Sequence, residues 1–209
     1  MKNEHIITVV NDLLNQMSDT EKNKYYLGAV YGMLEELNTE LYKTELKKNN
    51  GASFVKRSAN LKKAMEKHNK YREYFQKAWH QDIKNETYQL AMINGYILFY
   101  LKKPLDVPTH EVNQGIIFDG ERVYKDKKTM TVSAIDAADI RHSVKLYKAS
   151  KSKNTCKYFI NEKCYDAELL KLVFDVLGDD VTLYQDSNKF SGDIIENAEG
   201  VALIMPMRP

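Results

Sequence analysis

Apolar positions recur with helical spacing through the first part of the chain. Apolar residues on one side of residues 5–17 predict a short amphipathic helix. Ser18 and Glu21 then have the spacing of a capping box, which predicts the start of a second helix. In that helix, apolar residues follow at steps of three and four positions: Leu27, Val30, Leu34, Leu37 and Leu41. This heptad seam is typical both of a helix packed on its own neighbours and of a dimerisation helix.

A chain break and a basic helix are predicted next. The Asn-Asn-Gly run at residues 49–51 predicts the break. A third helix is expected over residues 53–79, with an apolar stripe formed by Leu61, Met65, His68, Phe75 and Trp79. Its other surface is crowded with basic side chains: Lys56, Arg57, Lys62, Lys63, Lys67, Lys70, Arg72 and Lys77. Such a surface is usually solvated, but it also suits contact with a phosphate backbone.

The middle of the chain carries two hairpin signals. Residues 88–93 and 96–101 flank Asn94-Gly95, one of the strongest short cues for a β-hairpin. A second hairpin is expected from residues 115–118 and 122–124 around an Asp-Gly pair, with a proline-containing loop at 102–113 between the two hairpins. A strand at 130–135 and a helix at 137–150 complete this part of the prediction.

Residues 156–209 predict a strand, a helix and three further strands. Asp166 is placed to cap the helix at its N-terminus, and Gly178 follows its last apolar position, where a C-cap glycine is common. One face of this helix is apolar, with Leu169, Leu170, Val173, Phe174 and Leu177. The three strands are expected near residues 181–183, 190–195 and 201–207. The predicted fold class is therefore α+β, an antiparallel sheet with helices on one side, preceded by a helical segment.

Composition and charge narrow the possible classes of protein. Net charge is only +2, but residues 56–80 hold eight Lys or Arg against two Glu, whereas residues 156–209 hold five against ten acidic residues. This asymmetry suggests complementarity within the chain or an anionic partner for the basic segment. No apolar run reaches the roughly 18 residues that span a bilayer, and the N-terminus lacks the pattern of a signal peptide. We therefore expect a cytoplasmic protein without membrane contact.

Catalytic and metal-binding motifs are not found in the sequence. There is no glycine-rich phosphate loop or nucleophile elbow, and the five histidines lack the spacing of metal ligands. His68 falls on the predicted apolar stripe and is expected in the core. Cys156 and Cys164 fit neither a zinc knuckle nor a Cys-x-x-Cys redox pair, so we expect both to be buried structural residues. The prediction is a protein that is not an enzyme and needs no cofactor or metal.

The C-terminal stretch resembles the C-terminal domain of the bacterial sliding clamp, the β subunit of replicative DNA polymerase. The resemblance is carried by "FINEKCYDAELLKLVFDVL", "VTLYQDS" and the terminal "VALIMPMRP". It is best over residues 156–209 and weaker over residues 61–101. It implies two domains in this chain, an N-terminal helical segment over 1–50 and a clamp-like domain over 51–209.

The resemblance also implies a function in DNA replication or repair, as a processivity-factor-like scaffold. In clamps the matching strand lines a hydrophobic pocket that takes short peptide motifs of replication proteins. Carried over, the pocket residues are Leu203, Met205, Pro206, Met207 and Arg208, with the turn at Asn94-Gly95 as the counterpart of a further pocket turn. Clamps also line a DNA channel with basic helices, which implies DNA contact, independent of base sequence, through the eight basic residues named above.

The chain departs from the clamp pattern in two ways. A bacterial clamp chain carries three copies of the domain and this chain has room for one, so a ring would need about six subunits or another clamp as partner. The segment 1–50 has no clamp counterpart. The alternative is therefore a helical oligomerisation or protein-interaction module that uses the clamp fold only as a scaffold, and an enzyme of unrecognised type is a third hypothesis. A homo-oligomer is expected in either of the first two cases.

Overall fold

The computed structural model describes residue 8 and residues 21–111, 118–152 and 154–207. The chain divides into two compact units, Met1–Val55 and Lys56–Pro209. The helix predicted over 5–17 and the capping residue Ser18 lie outside the described residues, apart from residue 8.

Apart from residue 8, the described residues of the first unit belong to helix α1 (Glu21–His68). The backbone of this helix is interrupted at Gly51, with φ 84° and ψ 162°. The predicted break is thus confirmed, since a positive φ of this size favours glycine. Along the predicted seam, Leu34 is buried and the other four residues are half-buried. Large apolar side chains flank the seam and stay exposed: Tyr31, Met33 and Tyr42.

In the second unit, α1 ends at His68, eleven positions before the predicted end at residue 79. Asn69, which is 1% exposed, redirects the chain. Its amide donates to the carbonyl oxygens of Phe75 and Met92, and its side-chain oxygen accepts from the backbone N–H of Asn94. A 3-10 turn (Glu73–Gln76) and strand β1 (Trp79–Ile83) follow. The prediction of a helix up to residue 79 was wrong because Asn69, directly after the helix, is hydrogen-bonded to residues distant in sequence, Met92 and Asn94.

The strands form one seven-stranded antiparallel sheet and one two-stranded ribbon. The sheet contains β1, β2 (Glu86–Ile93), β3 (Ile97–Leu101), β4 (Thr131–Ser133), β7 (Thr182–Gln185), β8 (Asp193–Asn197) and β9 (Gly200–Ile204). Their order across the sheet is β1-β2-β3-β9-β8-β7-β4. The ribbon pairs β5 (Lys157–Ile160) with β6 (Lys163–Asp166), and the remaining helices are α2 (Ala137–Ala149) and α3 (Ala167–Leu177).

Two similar halves meet at the centre of this sheet. In each half a helix is followed by a three-stranded meander: the end of α1 precedes β1-β2-β3, and α3 precedes β7-β8-β9. Strands β3 and β9 pair antiparallel, with Ile97 opposite Ile204 and Leu101 opposite Gly200. A Cβ at Gly200 would lie 2.4 Å from the carbonyl oxygen of Tyr100, so only glycine permits this approach. The strand order of the two meanders is thus symmetric about the β3–β9 pair.

Both faces of the sheet are covered. One face carries a buried cluster that includes Leu90, Tyr100 and Leu203, and side chains from residues 118–130 pack against it. Residues of the opposite pleat, such as Phe99 and Ile204, are also buried. Helix α3 contacts β8 and β9 on that side, and α2 packs on α3. The helices therefore lie on one face and the irregular segment on the other.

Most of the predicted C-terminal elements are confirmed. Asp166 accepts from the backbone N–H of Glu168, Gly178 has φ 101°, and all five apolar residues of the α3 face are buried. The single strand expected before α3 is instead the β5–β6 ribbon. The predicted second hairpin was wrong in its described part, since Glu121–Val123 is a 3-10 turn. The protein is α+β, with a helix followed by an antiparallel sheet.

Candidate functional site

The candidate site is built by the chain end after β9. The backbone N–H of Met205 donates to the carbonyl oxygen of Tyr96 at 2.8 Å, and that of Met207 donates to the carbonyl oxygen of Cys164 at 2.7 Å. Pro206, between them, is buried and has no N–H to satisfy. This tail therefore runs from the β2–β3 turn, in the first half, to β6, which leads into the second half.

A pocket of about 680 Å³ opens beside this tail. Its volume lies in the range of small-ligand and peptide-anchor pockets. The turn between β2 and β3 and the start of α3 both contribute to its lining. Its lining residues come from six parts of the chain: His68, Asn94, Gly95, Tyr96, Thr155, Asp166, Leu169, Phe190, Ile204, Met205, Pro206 and Met207.

The β2–β3 turn is shaped by its two central residues. Asn94 and Gly95 have φ of 52° and 74°, as a type I′ turn requires. Met205 extends beside this turn and is 36% exposed. It packs over Gly192, where a Cβ would lie 2.9 Å from the methionine sulfur. The absence of a side chain at Gly192 therefore makes room for Met205.

Polar groups line part of the otherwise apolar pocket. Burial, followed by the charge of Lys67, lowers the pKa of His68 and so favours its neutral form. Burial raises the pKa of Asp166, against the effect of the backbone N–H groups that it accepts from. The predicted core position of His68 was wrong, since its side chain is half-buried and reaches the pocket. The arrangement offers apolar side chains with a few polar groups, which suits an extended apolar segment.

The predicted pocket residues are only partly brought together. Met205, Pro206 and Met207 line the pocket, together with the Asn94-Gly95 turn. Leu203 does not line this pocket, but joins the buried cluster on the other face of the sheet. It lines a smaller cavity of about 110 Å³, and Met205, two positions on, lines both cavities. Arg208 lies outside the described residues.

Several lining residues were not predicted from the sequence. Asp166 and Leu169 were recognised, but only as a helix cap and a core residue. Phe190 was assigned to a strand, whereas it is exposed and precedes β8. The sequence signal that could have indicated Phe190 is an aromatic residue within a stretch rich in turn-forming residues. No sequence pattern indicated that His68 and Thr155 would meet at this place.

The eight predicted basic residues lie in different environments. Lys56, Lys62, Lys63 and Lys67 are exposed on the last turns of α1. Among the ion pairs between described residues, none includes these four lysines. A shallow groove of about 210 Å³ beside them adds Lys148 and Lys171, which are paired with Glu168 and Asp175. Lys70, Arg72 and Lys77 are exposed too, but they follow the helix instead of belonging to it.

Unlike these residues, Arg57 makes contacts within the fold. Its side chain is 14% exposed, it forms an ion pair with Glu199 at 2.9 Å, and it donates to the carbonyl oxygen of Val176. Glu199 is also paired with Lys103. Arg57 therefore joins α1 to α3 and to the β8–β9 turn, and its charge is used inside the fold.

A buried polar network holds the ribbon to the sheet. The Lys163 ammonium lies 2.7 Å from the Asp193 carboxylate, which also accepts from the Tyr165 hydroxyl and the backbone N–H of Asp186. Burial and the bond to Asp193 raise the pKa of Tyr165. Cys156 and Cys164 are both buried, as predicted, and neither forms a disulfide. Within the described residues, no group of three His, Cys, Asp or Glu side chains could hold a metal ion.

Comparison with protein-family models, with curated proteins and with solved structures finds no match to this chain. In the part of the chain that the structure describes, no helix is both long and apolar enough to cross a membrane.

Proposed function

We propose that this protein is a non-enzymatic, sliding-clamp-like scaffold of DNA replication or repair, which binds short peptide motifs in the pocket beside its C-terminal tail. The observation that carries this proposal is the pocket itself. It places Met205, Pro206 and Met207 next to the Asn94-Gly95 turn, in a concave site of about 680 Å³. Methionine side chains are flexible and polarizable, so they adapt to apolar side chains of different shape.

The fold gives further support. The resemblance of the sequence implies a domain built from two halves, each a helix with strands, and the chain contains a helix and a meander twice. The two halves are bridged by the tail that lines the pocket. A peptide bound there would contact both halves, which is suitable for a scaffold that recognises extended segments.

Calorimetric titration with a peptide of the Gln-x-Leu-x-Leu-Phe kind tests this function. We expect binding at micromolar strength, worth about 8 kcal/mol, by the native chain. A Met205→Ala/Met207→Ala variant should lose it, because both thioether side chains belong to the apolar part of the lining. Met33→Ala is the control, since Met33 is exposed on the first unit and far from the pocket in sequence. Absence of heat with the native chain contradicts the proposal.

DNA contact is the second part of the proposed function. The exposed Lys56, Lys62, Lys63 and Lys67 share the last turns of α1, and such a surface neutralises phosphates without reading bases. Arg57 is left out of this surface because of its ion pair with Glu199. The expected binding is therefore independent of sequence and weakened by salt.

Electrophoretic titration at low salt tests the DNA part. A Lys62→Ala/Lys63→Ala/Lys67→Ala variant should bind more weakly, with a salt slope smaller by about 0.9 for each phosphate that is no longer neutralised. The matched control removes three exposed lysines elsewhere: Lys145, Lys157 and Lys189. An equal decrease in both variants would show an effect of net charge alone, and no binding by the native chain would contradict this part.

A second candidate function is self-association through the first unit. The exposed Tyr31 and Tyr42 lie eleven positions apart, so they share one flank of the leucine seam, and Met33 lies on the other flank. An apolar face of this width suits a second copy of the chain. Sedimentation of the full chain should show an oligomer that a Tyr31→Ser/Met33→Ser variant dissociates. A monomer at all concentrations contradicts this candidate.

A further inference from the structure

The charge of Asp166, which lines the pocket, bears on the kind of ligand that the pocket binds. Asp166 is the only carboxylate among the described residues that line the pocket, and no described Lys or Arg lines it. His68, the other titratable group beside Asp166, has its pKa lowered by burial and by Lys67. The wall at the start of α3 is therefore negative or neutral, while the rest of the lining is mostly apolar.

Among the described groups, only His68 acts on the Asp166 carboxylate as a positive charge. It accepts from the backbone N–H of Glu168 at 2.9 Å and also from that of Leu169. Among the ion pairs between described residues, none includes Asp166. Partial burial raises its pKa, which shows that the surroundings disfavour the charged form. A cation brought to this carboxylate would relieve that cost, and the bond would be stronger than between neutral groups.

A positive group also lies near the β2–β3 turn, although it does not line the pocket. A Cβ at Gly95 would lie 3.5 Å from a guanidinium nitrogen of Arg72. The tail runs from this turn at Met205 to β6 at Met207. An extended ligand that follows the tail would therefore pass from the turn to the Asp166 carboxylate at the start of α3.

We propose that the pocket selects apolar peptides that carry one basic side chain, and that Asp166 is the residue that selects it. The inference rests on the proposed function, because it names the peptide class for the same pocket. A lysine fits this site well, since its aliphatic stem packs along apolar side chains such as Leu169 while its ammonium reaches the carboxylate. Asp166 thus determines specificity, and the methionines supply apolar contact.

A peptide series tests the selection. The parent peptide is acetyl-Gln-Ala-Leu-Ala-Leu-Phe-amide, in which each alanine in turn is replaced by lysine, norleucine or glutamate. Capped ends remove the terminal charges, and norleucine keeps the length of the lysine stem without its charge. For one of the two positions we expect the lysine peptide to bind about tenfold more tightly than the norleucine peptide. The glutamate peptide should bind most weakly there.

Two protein variants assign the preference to its residue. Asp166→Asn removes the charge but keeps a good helix N-cap, so the fold is retained. Glu168→Gln is the matched control, because Glu168 lies two residues on and lines the shallow groove instead of the pocket. Asp166→Asn should abolish the difference between lysine and norleucine, and Glu168→Gln should preserve it.

The outcomes separate this inference from the proposed function. Tight binding of the peptides with equal affinity for lysine and norleucine overturns the inference and leaves the proposed function intact. A lysine preference that survives Asp166→Asn overturns the assignment to Asp166. Failure of every peptide to bind the native chain contradicts the proposed function itself.

Discussion

The buried ion pair between Lys163 and Asp193 gives a sharp stability prediction. The two side chains are 6% and 0% exposed, and the ammonium lies 2.7 Å from the carboxylate. Lys163→Met keeps the volume and the apolar stem but leaves the carboxylate without its counter-ion. Removal of one partner of a buried pair costs about 3–5 kcal/mol. Because Asp193 retains the Tyr165 hydroxyl and a backbone N–H as donors, we expect the lower end of this range, about 3 kcal/mol.

Urea unfolding followed by circular dichroism measures this cost. With an m-value of about 2 kcal/mol/M, the midpoint should fall by about 1.5 M urea. Lys189→Met is the control, since its ion pair with Glu162 is exposed and should be worth less than about 1 kcal/mol. A Lys163→Met/Asp193→Asn variant should recover part of the loss, because no unpaired charge is left. A change below about 1 kcal/mol for Lys163→Met would refute the reasoning.

Three further predictions concern the stability of the fold. Gly200→Ala should cost about 1–3 kcal/mol in a thermal melt, because its Cβ would meet a carbonyl oxygen of β3 at 2.4 Å; Gly32→Ala, with no atom within 4 Å, should not destabilise the chain. Backbone and Ser side-chain hydrogen bonds and a Lys partner lower the pKa of Asp186 to about 2, so its stabilising effect is present above about pH 4 and lost as the pH falls towards 2. Asp186→Asn should flatten acid unfolding over that range. Arg57→Ala should lower the free energy of unfolding in urea by about 2 kcal/mol, more than Lys62→Ala, because only Arg57 has a half-buried ion pair.

Local signals in the sequence predicted those elements whose ends are determined locally. The Asn94-Gly95 turn requires positive φ at both residues, and its hairpin is present. Helix α3 is bounded by Asp166 and Gly178, as its capping residues indicated. An Asp-Gly pair at 119–120 gave a similar hairpin signal, but here the chain turns into a 3-10 helix packed on the sheet. Packing against the sheet outweighed the local preference at that position.

The site was predictable only where it is continuous in sequence. Met205, Pro206 and Met207 were identified because they follow one another in the sequence, and Leu203 was included by the same continuity although it does not line the pocket. His68 and Asp166 reach the pocket because α1 stops early and α3 starts after the ribbon. Such a meeting depends on long-range bonds, such as those of Asn69, that no local pattern contains.

Methionine-methyl NMR tests the central claim, peptide binding beside the tail, most directly. The chain has eight methionines, and the ε-methyl signals of Met205 and Met207 can be assigned by substitution. Addition of the lysine-containing peptide should shift these two signals in a saturable way, while the signal of Met33 stays in place. Shifts confined to methionines outside the pocket, or no shift at saturating peptide, would contradict the account.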